Sequence, residues 1–300
     1  MAERPARQPR RAHSAQVVRT ERLTPHMQRV VLGGDGLAEF TAGTCTDHYV
    51  KLLFPPAEGV IYPEPFDVQR IREEFPRDQW PVTRTYTVRA WDPELRELTL
   101  DFVLHGDEGL AGPWAMRAQP GDTLRFMGPG GAYAPDASAD WHLLVGDESA
   151  LPAIATALES LPDGAEVRAF VEVAGAEEEQ KIDSDAEVVW LHRGDRPVGE
   201  ALVEAVRALR FPEGRVHAFV HGEAAFVKEL RALLRVERQL PREDLSISGY
   251  WRLGHNEDGW QASKREWNAR IEAEQETGAT AAEQETGATA AEQETGATAA

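Results

Sequence analysis

The feature that most limits the fold is a change of pattern at Gly128-Pro129-Gly130-Gly131-Ala132-Tyr133-Ala134-Pro135. Before it, short β-prone runs follow one another, separated by turn residues, with little helical periodicity. After it, apolar strand runs alternate with helical stretches. The first pattern belongs to a small antiparallel barrel. The second belongs to a parallel sheet covered on both faces. The chain is therefore expected to be a β plus α/β protein. An N-terminal antiparallel β-barrel spans 14–137, and a C-terminal parallel-sheet α/β domain spans 138–272.

In the first half, residues 16–19 and 27–32 form a strand pair about the turn Thr24-Pro25-His26. Further strands are expected at 47–54, 84–89, 97–104 and 123–127, with a short helical piece at Gly112-Pro113-Trp114-Ala115. Residues 57–80, rich in proline and charge, read as a long surface loop with a purpose or a short helix of its own. In the second half, strands are expected at 141–145, 167–173, 187–191, 216–221 and 245–250, and helices at 151–161, 200–209 and 224–238.

The ends differ from both halves. Residues 1–13 are basic without an apolar core, which predicts a disordered N-terminus and not a secretory signal. From Ala273 the nonapeptide AEQETGATA occurs three times in succession, with six glutamates and no base. It has almost nothing to bury, so 273–300 is expected to be a disordered acidic tail.

Net charge is −19, and −13 without that tail, which disfavours nucleic acid and anionic membrane as partners. No apolar run approaches the roughly 20 residues that span a bilayer, so no membrane insertion is expected. The single cysteine, Cys45, excludes an intrachain disulfide and a cysteine-built metal cluster, and suits the cytoplasm. The nine histidines lack ligand spacing, so no metal site is expected. P-loop and G-x-S-x-G motifs are absent, against NTPase and serine hydrolase readings.

Two places could carry chemistry. Arg84-Thr85-Tyr86-Thr87-Val88-Arg89 reads as a strand bearing a phosphate-gripping cation, a flat ring and a hydroxyl, suited to a phosphorylated planar cofactor. An amphipathic strand with surface arginines explains the same residues. Arg84 and Tyr86 are expected on one face, and Thr85, Thr87 and Arg89 on the other, unless a bend intervenes. The second place is the set of strand ends in the α/β half, where open sheets bind ligands. The first strand there ends in Gly146-Asp147-Glu148-Ser149-Ala150-Leu151-Pro152, a turn into a helix that could hold a pyrophosphate. Its two carboxylates count against an anion. Arg193, at the end of the third strand, is a candidate partner for an adenosine 2′-phosphate or a solvated loop arginine. Gly222, at the end of the fourth, could touch a nicotinamide.

Taken in order, these segments resemble the ferredoxin–NADP reductase superfamily. Within it they resemble the siderophore-interacting proteins, the flavin-dependent ferric-siderophore reductases. The match rests on Arg84 to Arg89, on His105-Gly106 with Gly112-Pro113-Trp114-Ala115, and on Gly128-Pro129-Gly130-Gly131. It continues through Gly146 to Ile154 and Ser248-Gly249-Tyr250-Trp251-Arg252-Leu253-Gly254.

The resemblance implies a barrel that binds FAD and an α/β domain that binds NADPH or NADH. Arg84 would hold the FAD pyrophosphate, Tyr86 would pack on the flavin ring and Thr87 would bond near its N5, making Tyr86 and Thr87 the catalytic pair. Thr85, Arg89, His105, Gly112, Pro113, Trp114 and Ala115 would complete that site. Gly146, Asp147, Glu148, Ser149, Ala150, Arg193 and Gly222 would take the nicotinamide nucleotide, with Tyr250 and Trp251 returning the chain to the flavin. Lys51 and Arg252 would line a basic pocket for an anionic ferric siderophore, whose iron would be released as Fe(II). Many relatives carry G-P-R-G where this chain has Gly128-Pro129-Gly130-Gly131, so one cation is missing. Alternatives are a flavin oxidoreductase with another acceptor (ferredoxin, free flavin or quinone) and a siderophore carrier without turnover.

Overall fold

Alternating burial along the first strands closes them into a barrel. The computed structural model describes residues 12–57, 59–105 and 109–275. Its chain contacts divide into two units.

The first unit holds six strands: β1 (Ala12–Thr24), β2 (Met27–Gly33), β3 (Tyr49–Phe54), β4 (Val82–Asp92), β5 (Glu97–Val103) and β6 (Thr123–Gly130). They close in the order β1-β2-β5-β4-β3-β6, every neighbour antiparallel. Alternate residues fill the interior, among them Val30, Leu32, Val50, Leu52, Leu98, Leu100, Phe102 and Phe126. Closure leaves no free edge to pair with another chain. The proline-rich stretch carries its own helix, α1 (Val68–Glu74), started by Asp67, whose side chain accepts from the N–H groups of Gln69 and Arg70. Buried Ile71 ties α1 down. The helix α2 (Ala111–Arg117) packs Ala111 and Ala115 into the barrel core. Leu151–Leu161, which contains α3 (Leu151–Ser160), and Glu177–Ser184 group with this unit.

The second unit is a five-stranded parallel sheet of β7 (Trp141–Gly146), β8 (Val167–Val173), β9 (Val188–His192), β10 (Val216–Glu223) and β11 (Leu245–Trp251), in the order β11-β10-β7-β8-β9. The chain leaves β7 toward β8 and later returns to the other side as β10. That reversal makes the ends of β7 and β10 the topological switch point, where open sheets hold ligands. One face packs Trp141, Leu143, Val145, Ala218 and Val220 against α4 (Glu200–Ala208) and α5 (Ala224–Ala232) through Leu202, Val206, Phe226 and Leu230.

A further helix, α6 (257–275), has no counterpart in the expected elements. Its Trp260 is buried, and a Cβ on Gly249 of β11 would lie 3.1 Å from the Trp260 ring. The helix runs through Gln275, past the boundary expected at 272, and Glu274 pairs with Lys228 at 3.1 Å. The rest of the acidic repeats, and residues 1–11, lie outside the described residues. Among the described residues no helix is long and apolar enough to cross a membrane.

Candidate functional site

In the barrel, β4 pairs with β3 in the register Arg84–Leu52, Thr85–Lys51, Tyr86–Val50 and Thr87–Tyr49. Directly opposed antiparallel residues share a face. Arg84 and Tyr86 therefore lie on the side of buried Val50 and Leu52, and Thr85 and Thr87 lie outward beside Lys51 and Tyr49. The expected division of faces holds through Thr87. The ladder to β5 then slips between Val88 and Ala90, a bulge that sets Arg89 apart.

Tyr86 is half-buried, its ring 4.3 Å from that of Phe102. Trp114 of α2 meets Phe102 at 5.7 Å and Phe54 at 6.0 Å. Phe102 is fully buried and backs both rings, a positioning role that no local motif announced. Gly112 sits close over β5, where a Cβ would be 3.5 Å from the Val103 carbonyl oxygen. No side chain caps the start of α2, so its first N–H groups are not taken up in that way. A half-buried arginine, an aromatic face and an uncapped glycine-bearing helix start suit a planar, anionic group, and on this donor set the residues fit FAD. His105 is exposed, and Gly106 lies outside the described residues.

Arg89 is engaged elsewhere. Its guanidinium binds Glu159 of α3 through two hydrogen bonds of 2.7 and 2.6 Å, and Thr156 Oγ1 donates to its carbonyl oxygen at 3.2 Å. Lys51, by contrast, has no carboxylate within ion-pair distance among the described residues, although most arginines here do.

In the α/β unit, the end of β7 is organised by Asp147, which is fully buried. Its Oδ1 accepts from the Ser149 N–H at 3.0 Å and the Ser149 hydroxyl at 2.5 Å. Its Oδ2 accepts from the Glu223 N–H and from Trp251 Nε1, both at 2.8 Å. One carboxylate thus joins the ends of β7, β10 and β11. Gly222, at φ +142°, has no room for a Cβ, which would lie 2.7 Å from Asp147 Oδ2. Burial pushes the Asp147 carboxyl up to about 6; the Ser149, Trp251 and Glu223 donors pull the other way, and the Glu148 charge adds to the rise.

Glu148 and Arg193 form a second pair, at 2.8 Å, and Arg193 also reaches Glu172 at 3.4 Å. Glu172 is fully buried and accepts the Gly199 N–H at 2.8 Å. Burial pushes Glu172 upward, against the pull of Gly199 and Arg193. Burial also works against the Arg193 charge, but Glu148 and Glu172 together hold it above its ordinary range. The objection that two carboxylates stand beside an anion site loses its force. Asp147 is turned inward and Glu148 is neutralised.

Tyr250 lies edge-on to His221, the ring centroids 4.8 Å apart. His221 is buried, stacked on Phe219 at 3.8 Å, with Nε2 3.0 Å from Ser246 Oγ. Burial, with a contribution from Lys264, pushes it down to about 3. Arg252 is half-buried and has no ion pair among the described residues. The structure therefore gathers Gly146 to Ala150, Gly222 and Trp251 at one switch point, with Arg193 attached through Glu148.

A pH prediction follows from Asp147. Its folded value, about 6, lies above the unfolded value of about 3.9. Its contribution to stability is therefore full below the unfolded value and is lost as pH rises through the folded one. The depressed His221 acts with the opposite sign, losing its contribution as pH falls below its unfolded value. In a comparison of the wild type with Asp147→Asn, the His221 effect is common to both and cancels. The stability advantage of the wild type is expected to fall by about 2–3 kcal/mol between pH 4 and pH 7. Urea midpoints across that range check it, and an advantage that grew with pH would contradict it.

Both halves of the chain resemble known proteins. Residues 16–133 match the family model described as siderophore-interacting FAD-binding domain, and residues 139–254 match that of siderophore-interacting protein. An uncharacterized protein of Mycobacterium tuberculosis is 47% identical over 269 residues, covering 85% of this chain and 95% of that one. Ferric vibriobactin reductase ViuB of Vibrio cholerae is 34% identical, covering 82% and 92%. NADPH-dependent ferric-chelate reductase of Escherichia coli is 32% identical, covering 78% and 91%. The crystal structure of a siderophore utilization protein from T. fusca superposes with a TM-score of 0.71 at 40% identity, covering 83% of this chain and 95% of that one.

Proposed function

Because the chain belongs to the siderophore-interacting protein family, we propose that it is a cytoplasmic FAD-dependent reductase that takes electrons from NADPH or NADH and delivers them to a ferric siderophore. The single observation that carries the reading is that each unit presents one half of such a reaction. The barrel offers the flavin strand, and the sheet offers a switch-point cradle in which Asp147 is turned inward and Glu148 is paired with Arg193.

Bound FAD would supply the two-electron to one-electron conversion that iron reduction needs. The chain's own residues do the rest. Arg84 and the start of α2 hold the pyrophosphate, as charge-assisted and backbone donors. Tyr86, held by Phe102, orients the flavin ring. Thr87, buried on the outward face, would offer its hydroxyl to the flavin ring. Asp147 fixes the loop that carries Ser149 and Ala150, where the coenzyme pyrophosphate would rest. Among the described residues neither Lys51 nor Arg252 has a carboxylate at ion-pair distance, so each is available to an anionic group in a chain that is acidic overall.

The relatives named for reduction of ferric vibriobactin and ferric chelate support this acceptor over ferredoxin, a free flavin or a quinone. NADPH in the name of one of them supports the phosphorylated coenzyme. Arg193 is its proposed 2′-phosphate partner, in competition with Glu148. Steady-state NADPH oxidation should then require a ferric chelate and yield Fe(II) trapped by a colorimetric chelator. Chelate binding without turnover would leave the carrier reading instead.

A further inference from the structure

On the outward face of the barrel, β4, β3 and β6 present two cross-strand rows. One is Thr87–Tyr49–Gly130 and the other is Thr85–Lys51–Met127. The β3–β6 ladder slips between Tyr49 and Lys51, so a bulge at Gly128-Pro129 brings Gly130 opposite Tyr49. The space over Gly130 is filled by the Tyr49 phenol. A Cβ at 130 would lie 2.4 Å from Tyr49 Cζ and 2.6 Å from Oη. Gly130 does not have positive φ, so its lack of a side chain serves this ring and not the backbone. Yet the ring is only half-buried, and among the described residues no hydrogen bond or ring pair takes it up. Its neighbours on the same face are Thr87 and Lys51.

We propose that Tyr49, seated by Gly130, is a specificity-determining residue: a flat platform that favours ferric chelates with aromatic oxygen ligands, catecholate or phenolate, over aliphatic ones. The inference rests on the ferric-siderophore reading above and names its substrate class. A polished aromatic face beside a cation matches an anionic aryl chelate in both shape and charge. Lys51 draws the negative charge, and Tyr49 offers an offset or edge contact to the aryl ring. An aliphatic chelate of equal charge keeps the first interaction and loses the second. Position 130 sets the platform, because any side chain there must displace the ring.

The test uses the FAD-loaded protein and redox-inert gallium, so that reduction potentials do not enter. Equilibrium dialysis compares Ga(III) held by a tripodal tris-catecholate with Ga(III) tris-oxalate, both trianionic. The wild type should prefer the aryl complex, and Tyr49→Leu should lower that preference about 2- to 10-fold. Tyr49→Phe should keep it. Gly130→Ala should lower it as Tyr49→Leu does, and should add nothing in the Tyr49→Leu background, as coupled neighbours require. FAD affinity should stay within twofold in all of them. Preference unchanged in both Tyr49→Leu and Gly130→Ala overturns the proposal, as does loss of FAD in place of loss of preference. If Tyr49→Leu fails to fold, the Gly130→Ala and Tyr49→Phe arms decide it alone. Failure of the wild type to bind either complex, with no ferric-chelate-dependent NADPH oxidation, overturns the reductase reading along with it. Binding and turnover without aryl preference overturn only the role of Tyr49.

Discussion

Arg193→Met is expected to cost about 3–5 kcal/mol of stability near neutral pH, the usual loss when one partner of a buried ion pair is removed. The reason lies in Glu172. It is fully buried, bonded to the Gly199 N–H, and has Arg193 as its charge partner at 3.4 Å. Without the guanidinium, Glu172 and Glu148 face each other with no neutralising cation. Glu172 can escape by taking a proton, so the loss should shrink as pH is lowered toward 5. Arg193→Lys should recover part of the stability, because the charge returns without the fork. Chemical denaturation at both pH values checks the expectation. A cost below about 1 kcal/mol, typical of a surface pair, would contradict it. The same geometry argues against Arg193→Glu as a probe of coenzyme choice, since it would set three carboxylates together. Glu148→Gln is the cleaner variant, because it frees the guanidinium for a 2′-phosphate.

Arg84→Ala is expected to weaken FAD binding by about 10- to 100-fold, the equivalent of one or two charge-assisted hydrogen bonds. Arg84 stands on the same face of β4 as Tyr86, and its Nη1 donates to the Thr83 carbonyl at 2.8 Å, so the side chain is already directed along the strand. Titration followed by flavin fluorescence measures the effect. Thermal stability of the FAD-free protein should change little, because Arg84 is only half-buried and fills none of the barrel core. A variant that kept full FAD affinity would remove Arg84 from the site.

The barrel and the sheet were both legible because each follows from local periodicity. A strand is expected over 47–54 and β3 runs over Tyr49–Phe54, while β8 runs over Val167–Val173 as expected. The candidate site could be proposed from the sequence only where its residues are adjacent, as in Arg84 to Thr87. What was not legible depends on distant partners. Nothing near Asp147 reveals that it turns inward to meet Trp251, 104 residues away. Nothing near Arg193 reveals Glu148 and Glu172. Gly130 looks like a missing cation until Tyr49, its cross-strand neighbour, is seen to fill the space. The helix 257–275 escaped because its apolar positions, Trp260, Trp267 and Ile271, are sparse among charges. It is held by tertiary contacts of Trp260 and Ile271, not by a strong stripe of its own.

Electron transfer from coenzyme through flavin to iron is read in the absorbance spectrum of the purified protein under anaerobic conditions, first with NADPH and then with a ferric chelate. The expected result is a bound-flavin spectrum that bleaches on adding NADPH and returns on adding the chelate, as Fe(II) appears. A protein that takes up no flavin after incubation with FAD, or whose reduced flavin is not reoxidised by any ferric chelate, would contradict it.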